Sequence, residues 1–293
     1  MTVRHAAQGL LGRALGRCRR DHGTGALRVV GGPGGVFHLV RGEVVAVESP
    51  GAPGVGTLLL RSGRVNEADW VVAQDAGSGA GGWWTAAALI GQGCLGAAGF
   101  EVVCRMAAQD AAFAVVAGRM DDCSFHPALL GESPYALPPF AGKAIDPEWL
   151  LEDARRRLAA LAALPTAVSP DRERVRAVNA DEFPEGSVLS CADGRRTARD
   201  IAFALGRGVY GVTVEVSRLL AEGLVEIAEP RTAPVAPDPA EDFGVRIPAA
   251  PAQAPAADSV PAGEVLPQRV PGTNWRGLLR PRGRGRTAEQ GNQ

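Results

Sequence analysis

The sequence predicts an α+β protein. It has a strand-and-helix region over 1–130, a connector helix over 146–164, a second small module over 185–229 and a disordered tail over 230–293. Three observations carry this. Residues 24–48 take on strand character between glycine-rich turns. Asp193–Gly223 holds two helical apolar stripes around a Gly-Arg-Gly turn. From Pro230 onward the chain turns to Pro and Ala without apolar periodicity. A length of 293 residues suits about two domains. The hydrophobic share of 46% supports real cores, and with aromatics at only 5% those cores must be built from Ala, Val and Leu.

In chain order, residues 6–18 place Leu10, Leu11, Ala14, Leu15 and Cys18 on one helical face. Three strands follow, TGALRVV, VFHLV and EVVAVES, joined by GGPGG and Arg41-Gly42 as an antiparallel meander. GGPGG precedes a strand and carries no Lys, so it reads as a hairpin turn and not as a phosphate loop. Val55–Arg61 is a short apolar helix, and Asn66 can cap a second over Glu67–Asp75. A Gly-rich link at 77–82 precedes a helical stretch from Trp83-Trp84. Residues 96–109 form the next helix, with Phe100, Val103, Cys104 and Ala107 inward. AFAVV at 112–116 and Asp122–Phe125 read as a closing hairpin, and 127–145 as a Pro-rich loop. Asp146-Pro147 opens the connector helix, an N-cap followed by Pro at the first position. Its Arg155-Arg156-Arg157 run pairs with adjacent acids as a solvated face. Residues 165–185 read as a polar linker.

Composition and motifs narrow the function. A net charge of −1 gives no global attraction to polyanions. Five widely spaced cysteines, with no C-x-x-C pair, favour reduced thiols and a cytoplasmic location. Cys123 and His126 make one C-x-x-H pair, too few ligands for a structural zinc site. Ala76–Phe100 is uncharged and long enough to span a bilayer at ~20 residues. Its eight glycines argue for a flexible segment and a small buried helix instead, so no membrane span is expected. His38 reads as a strand-face residue. No nucleophile–base pair, metal set or phosphate loop emerges, so neither catalysis nor a cofactor is expected.

The C-terminal module reads as a helix-turn-helix. Thr197 can cap a first helix running to Leu205. Gly206 and Gly208 flank a tight turn, and Val212, Val216, Leu219 and Leu220 line a second helix ended by Gly223. Leu224–Ile227 follows as a short strand. If the module binds DNA, Arg195, Arg196, Arg199 and Arg207 meet phosphates, and Tyr210, Thr213 and Arg218 on the outward helix face meet bases. Val214 and Ser217 are placed on the same outward face. Between Asp193 and Glu229, however, five arginines face six acids, which makes protein recognition a serious rival. The tail carries NWRGLLRPRGRGR, with Trp275, Arg276, Arg280, Arg282, Arg284 and Arg286 as a second candidate contact for RNA, DNA, an anionic surface or an acidic partner.

Two stretches resemble known families. The TGALRVV, GGVFHLVRGEVVAVESPG and TLLLRSGRV sequences resemble the PATAN-like domain of bacterial signalling proteins, and the helix and hairpin at 96–126 fit its end. The Gly63-Arg64-Val65 step resembles the small helical insert of two-component-output and secretion ATPase proteins. Residues 187–228 resemble the winged-helix module of bacterial transcriptional regulators, MarR-like ones among them, but lack the basic hairpin and return strand of the wing. The resemblance implies a regulator that couples an interaction domain to DNA binding. The alternative is a signalling adaptor whose winged helix grips a bacterial signalling protein.

Overall fold

The computed structural model describes residues 2–76, 82–128, 144–179 and 183–228. The opening helix, α1 (Thr2–Arg20), is longer than the expected 6–18 and buries Leu11, Leu15 and Cys18. The meander follows as β1 (Gly25–Gly32), β2 (Gly35–Val40) and β3 (Glu43–Glu48), each antiparallel to its neighbour. Leu27 pairs across from Phe37, Phe37 from Val47, and Leu39 from Val44. Opposed residues share a face, so these side chains form one buried layer.

Next come α2 (Val55–Arg61), α3 (Glu67–Ala76), α4 (Gly82–Gly91) and α5 (Ala97–Ala117). Here the expected closing hairpin is overturned: 112–116 is the last part of the 21-residue α5. Ala111–Val116 are all buried, so the run has no exposed face whose period could separate helix from strand. The strand after it, β4 (Arg119–Pro127), pairs with β1 instead, giving a sheet ordered β3-β2-β1-β4.

The four helices contain an internal repeat. Leu59, Gly63, Val65 and Trp70 recur as Leu89, Gly93, Leu95 and Phe100. The backbone repeats with them. The Leu59 carbonyl accepts from Arg64 and Val65 N–H, and the Leu89 carbonyl accepts from Cys94 and Leu95 N–H. Gly63 and Gly93 sit at φ 69° and 75°, where an L side chain is strained. Each unit is a helix, a left-handed turn and a second helix. Together they bury Leu58, Leu59, Val65, Ala73, Leu89, Phe100, Val103 and Ala107 as a core of their own.

The connector helix is α6 (Pro147–Ala162), with Asp146 accepting from Glu148 and Trp149 N–H at its start. The expected linker then yields a strand, β5 (Arg174–Ala177). After it come α7 (Val188–Cys191), β6 (Asp193–Thr197), α8 (Ala198–Leu205), α9 (Val209–Ala221) and β7 (Val225–Ile227). The strand β5 lies between the other two, antiparallel to both, in the order β6-β5-β7. Four residues among polar neighbours show no period of their own. Only the two flanking strands make them a strand.

All described residues belong to one compact unit, Met1–Ala233. Its main core runs from Leu11 through Phe113 and Leu150 to Ile201, Val212 and Val225. Among the described residues, no helix is long and apolar enough to cross a membrane. The Gly-rich 77–81, most of the Pro-rich 127–145 and the tail lie outside the described residues.

Candidate functional site

The helices α8 and α9 form as their sequence dictates. Thr197 Oγ1 accepts from Asp200 N–H at 3.2 Å, and the Asp200 carboxylate accepts from Thr197 N–H at 3.0 Å, a reciprocal capping box. Gly206 ends α8 at φ 61°. A Cβ there would lie 2.6 Å from Arg61 Cβ and 2.8 Å from Ser62 N, so the turn sits directly on the end of α2. At Gly208 a Cβ would lie 3.3 Å from Asp110 Oδ1. The glycines that permit the turn also permit its close approach to α2 and α5.

Helix α9 has no side-chain cap of its own, since Gly208 stands at the N-cap position. Asp110, from the middle of α5, takes that part. Its Oδ2 accepts from Val209 N–H at 2.5 Å and its Oδ1 from Tyr210 N–H at 3.0 Å. Asp110 is only 4% exposed. Burial raises its carboxyl above the ordinary range, against the lowering by the Tyr210 and Val209 N–H groups and by Arg157. Tyr210 is held edge-on against Phe113 at 5.4 Å, with the Arg157 guanidinium 5.3 Å from its ring. Arg157 is fixed in turn by Asp153 at 2.8 Å.

This geometry corrects the expected outward face of α9. Tyr210 is half-buried, Thr213 is 0% exposed and Ser217 is 2% exposed. Thr213 Oγ1 donates back to the Val209 carbonyl at 2.7 Å, and Ser217 Oγ has no partner among the described residues. Gly211, Arg218 and Ala221 are the exposed positions of the helix, with Val214 half-buried.

The other candidates are spread out. Arg195 and Arg196 are exposed on β6, where their N–H groups donate to Asp193 Oδ1 at 2.8 and 3.2 Å. These bonds and Arg196 hold the Asp193 carboxyl below its ordinary range despite its partial burial. Arg199 lies 3.8 Å from Asp200, and Arg207 pairs with Glu215 at 2.5 Å. Arg195 and Arg218 make no ion pair among the described residues. Of these arginines, Arg207 directly precedes the N-cap Gly208, and Arg199 lines one shallow pocket with Val209. Trp275, Arg276, Arg280, Arg282, Arg284 and Arg286 lie outside the described residues.

No protein-family model, curated protein or solved structure matches the chain. Among the described residues, no group of three or more His, Cys, Asp or Glu side chains could hold a metal ion. His38, read as a plain strand-face residue, lies 3.7 Å from Glu48. Asp110 is not among the residues the sequence singles out, although one signal points to it. A single acid inside AAQDAAFAVV must find a partner if that run is buried.

Proposed function

We propose that the chain is a non-enzymatic regulatory protein in which a winged-helix-like module is held against a PATAN-like domain. In this held state the module works through protein contacts, as a signalling adaptor does. The observation that carries the reading is the Asp110 carboxylate on the Val209 and Tyr210 N–H groups. In DNA-reading helix-turn-helix proteins the N-terminal residues of the second helix meet the base edges. Here that end is occupied by the chain's own α5. The strand order β6-β5-β7, with two helices between β6 and β7, supports the winged-helix-like comparison. In that comparison β5 stands where a wing's return strand would lie. Five free thiols suit a cytoplasmic setting.

The test is fluorescence anisotropy of the full chain with mixed-sequence duplex DNA at low and moderate salt. The adaptor reading expects weak binding whose salt slope does not change when Arg195 and Arg196 become Ala. Tight binding with a steep slope that flattens in the double variant would instead establish direct DNA contact by the wild-type protein. This second reading, a DNA-binding transcriptional regulator, is favoured by the exposure of Arg195 and Arg218.

A further inference from the structure

The covered face of α9 is chemically unlike the core around it. Val209, Val212 and Val216 form the helix's apolar stripe. Tyr210, Thr213 and Ser217 recur at i, i+3 and i+7 and form a second, hydroxyl-bearing stripe beside it. That stripe is closed over, and at its N-terminal end sits a desolvated carboxylate. Burying hydroxyls and a carboxylate is costly unless each is fully paired. Ser217 Oγ has no partner among the described residues, and Thr213 turns back on its own helix. These groups regain water if α9 moves away. The joint between α5 and α9 thus carries a desolvated carboxylate, a group that gains water when the two helices part.

The N–H groups of Val209 and Tyr210 are the ones a helix start offers to an anion, and a carboxylate of the same chain accepts both. We propose that this arrangement is an autoinhibitory latch: while Asp110 occupies the start of α9, the face bearing Tyr210, Thr213 and Ser217 is closed to duplex DNA, and its release opens that face. The proposal rests on the winged-helix-like reading of the module. It adds a second state and names the residue that separates the two. In the open state a DNA phosphate takes the place of the Asp110 carboxylate at the helix start, and base edges take the place of the Phe113 ring beside Tyr210.

The test uses the full chain as wild type, as Asp110→Ala, and as Asp110→Asn, which keeps the side-chain volume should the alanine variant fold poorly. Hydrogen exchange over residues 207–218 reports release of α9. Anisotropy with a mixed-sequence duplex at low salt reports binding. The expected result is lost protection at Val209 and Tyr210 with β1–β3 still protected, and affinity raised at least roughly tenfold, a gain removed by adding Arg195→Ala and Arg218→Ala. Two results overturn the latch. One is lost protection with unchanged DNA affinity, which would leave the opened face to a protein partner. The other is protection retained in both variants, which would show that Asp110 does not hold α9. A wild type that already binds as tightly as the variants refutes instead the held-state function proposed above.

Discussion

Gly206 and Gly223 together measure how closely the helix pair is seated. Both have positive φ, 61° and 73°, so an alanine at either meets the same left-handed strain of about 1–2 kcal/mol. Their surroundings differ. At Gly223 nothing lies within 4 Å of an added Cβ, whereas at Gly206 it would lie 2.6 Å from Arg61 Cβ, 2.8 Å from Ser62 N and 2.9 Å from Arg61 C. Two of those three atoms are backbone, which cannot swing aside. Relieving such an overlap costs typically about 1–3 kcal/mol. Gly206→Ala should therefore destabilise by about 2–5 kcal/mol and Gly223→Ala by about 1–2 kcal/mol, the excess reporting the seating of the turn on α2. Urea unfolding of the full chain, with m-values compared, supplies both numbers. Equal losses would show that α2 yields freely and that the turn is not seated as described. A loss at Gly223 alone would reverse the argument.

Further outcomes follow from the same geometry. The Asp110 carboxyl is raised from 3.8 by burial, so the native state holds its proton more tightly than the unfolded chain does. The stability of wild type minus that of Asp110→Asn should fall as pH rises from about 4 through the raised native value. A difference that grows over that window, measured by urea unfolding at stepped pH, contradicts the assigned cause. Leu59 and Leu89 hold equivalent repeat positions and are both fully buried, so each change to Ala should cost a similar ~2–5 kcal/mol. Costs differing severalfold in denaturant titrations would show that the two units pack unlike each other. Burial pushes the Cys104 thiol up to about 12, helped by Glu101, so iodoacetamide at a pH of about 8 should spare Cys104 until the protein unfolds. Peptide mapping that finds it alkylated in the native state would refute the desolvation of this half-buried thiol.

Much of this fold could be read locally. The β1–β3 meander, the Asp146 cap of α6, the Thr197 cap of α8 and the Gly206 stop are each decided by a few adjacent residues. What stayed hidden depends on distant chain. Residues 112–116 look strand-like alone and are helical because they continue α5 into the core. β5 has no pattern until β6 and β7 flank it. The hydroxyl stripe of α9 reads as a solvent face because its side chains are polar, yet Thr213 and Ser217 are buried. At its first turn the neighbour is α5, and Asp110 lies about a hundred positions upstream of Tyr210. Polarity told correctly that this stripe differs from the apolar one, but not which way it faces.

The central place of β5 also bears on how the protein is made. Val175 stands opposite Ile227, so the middle strand is synthesised well before one of its two neighbours. During translation β5 can gain β6 on one side, while its other edge stays open until Val225–Ile227 have left the ribosome. Those three residues, the last strand among the described residues, close the sheet. A nascent chain stalled before Val225 would carry an unpaired edge beside the apolar side chains of Val175 and Val216, the kind of surface that chaperones retain.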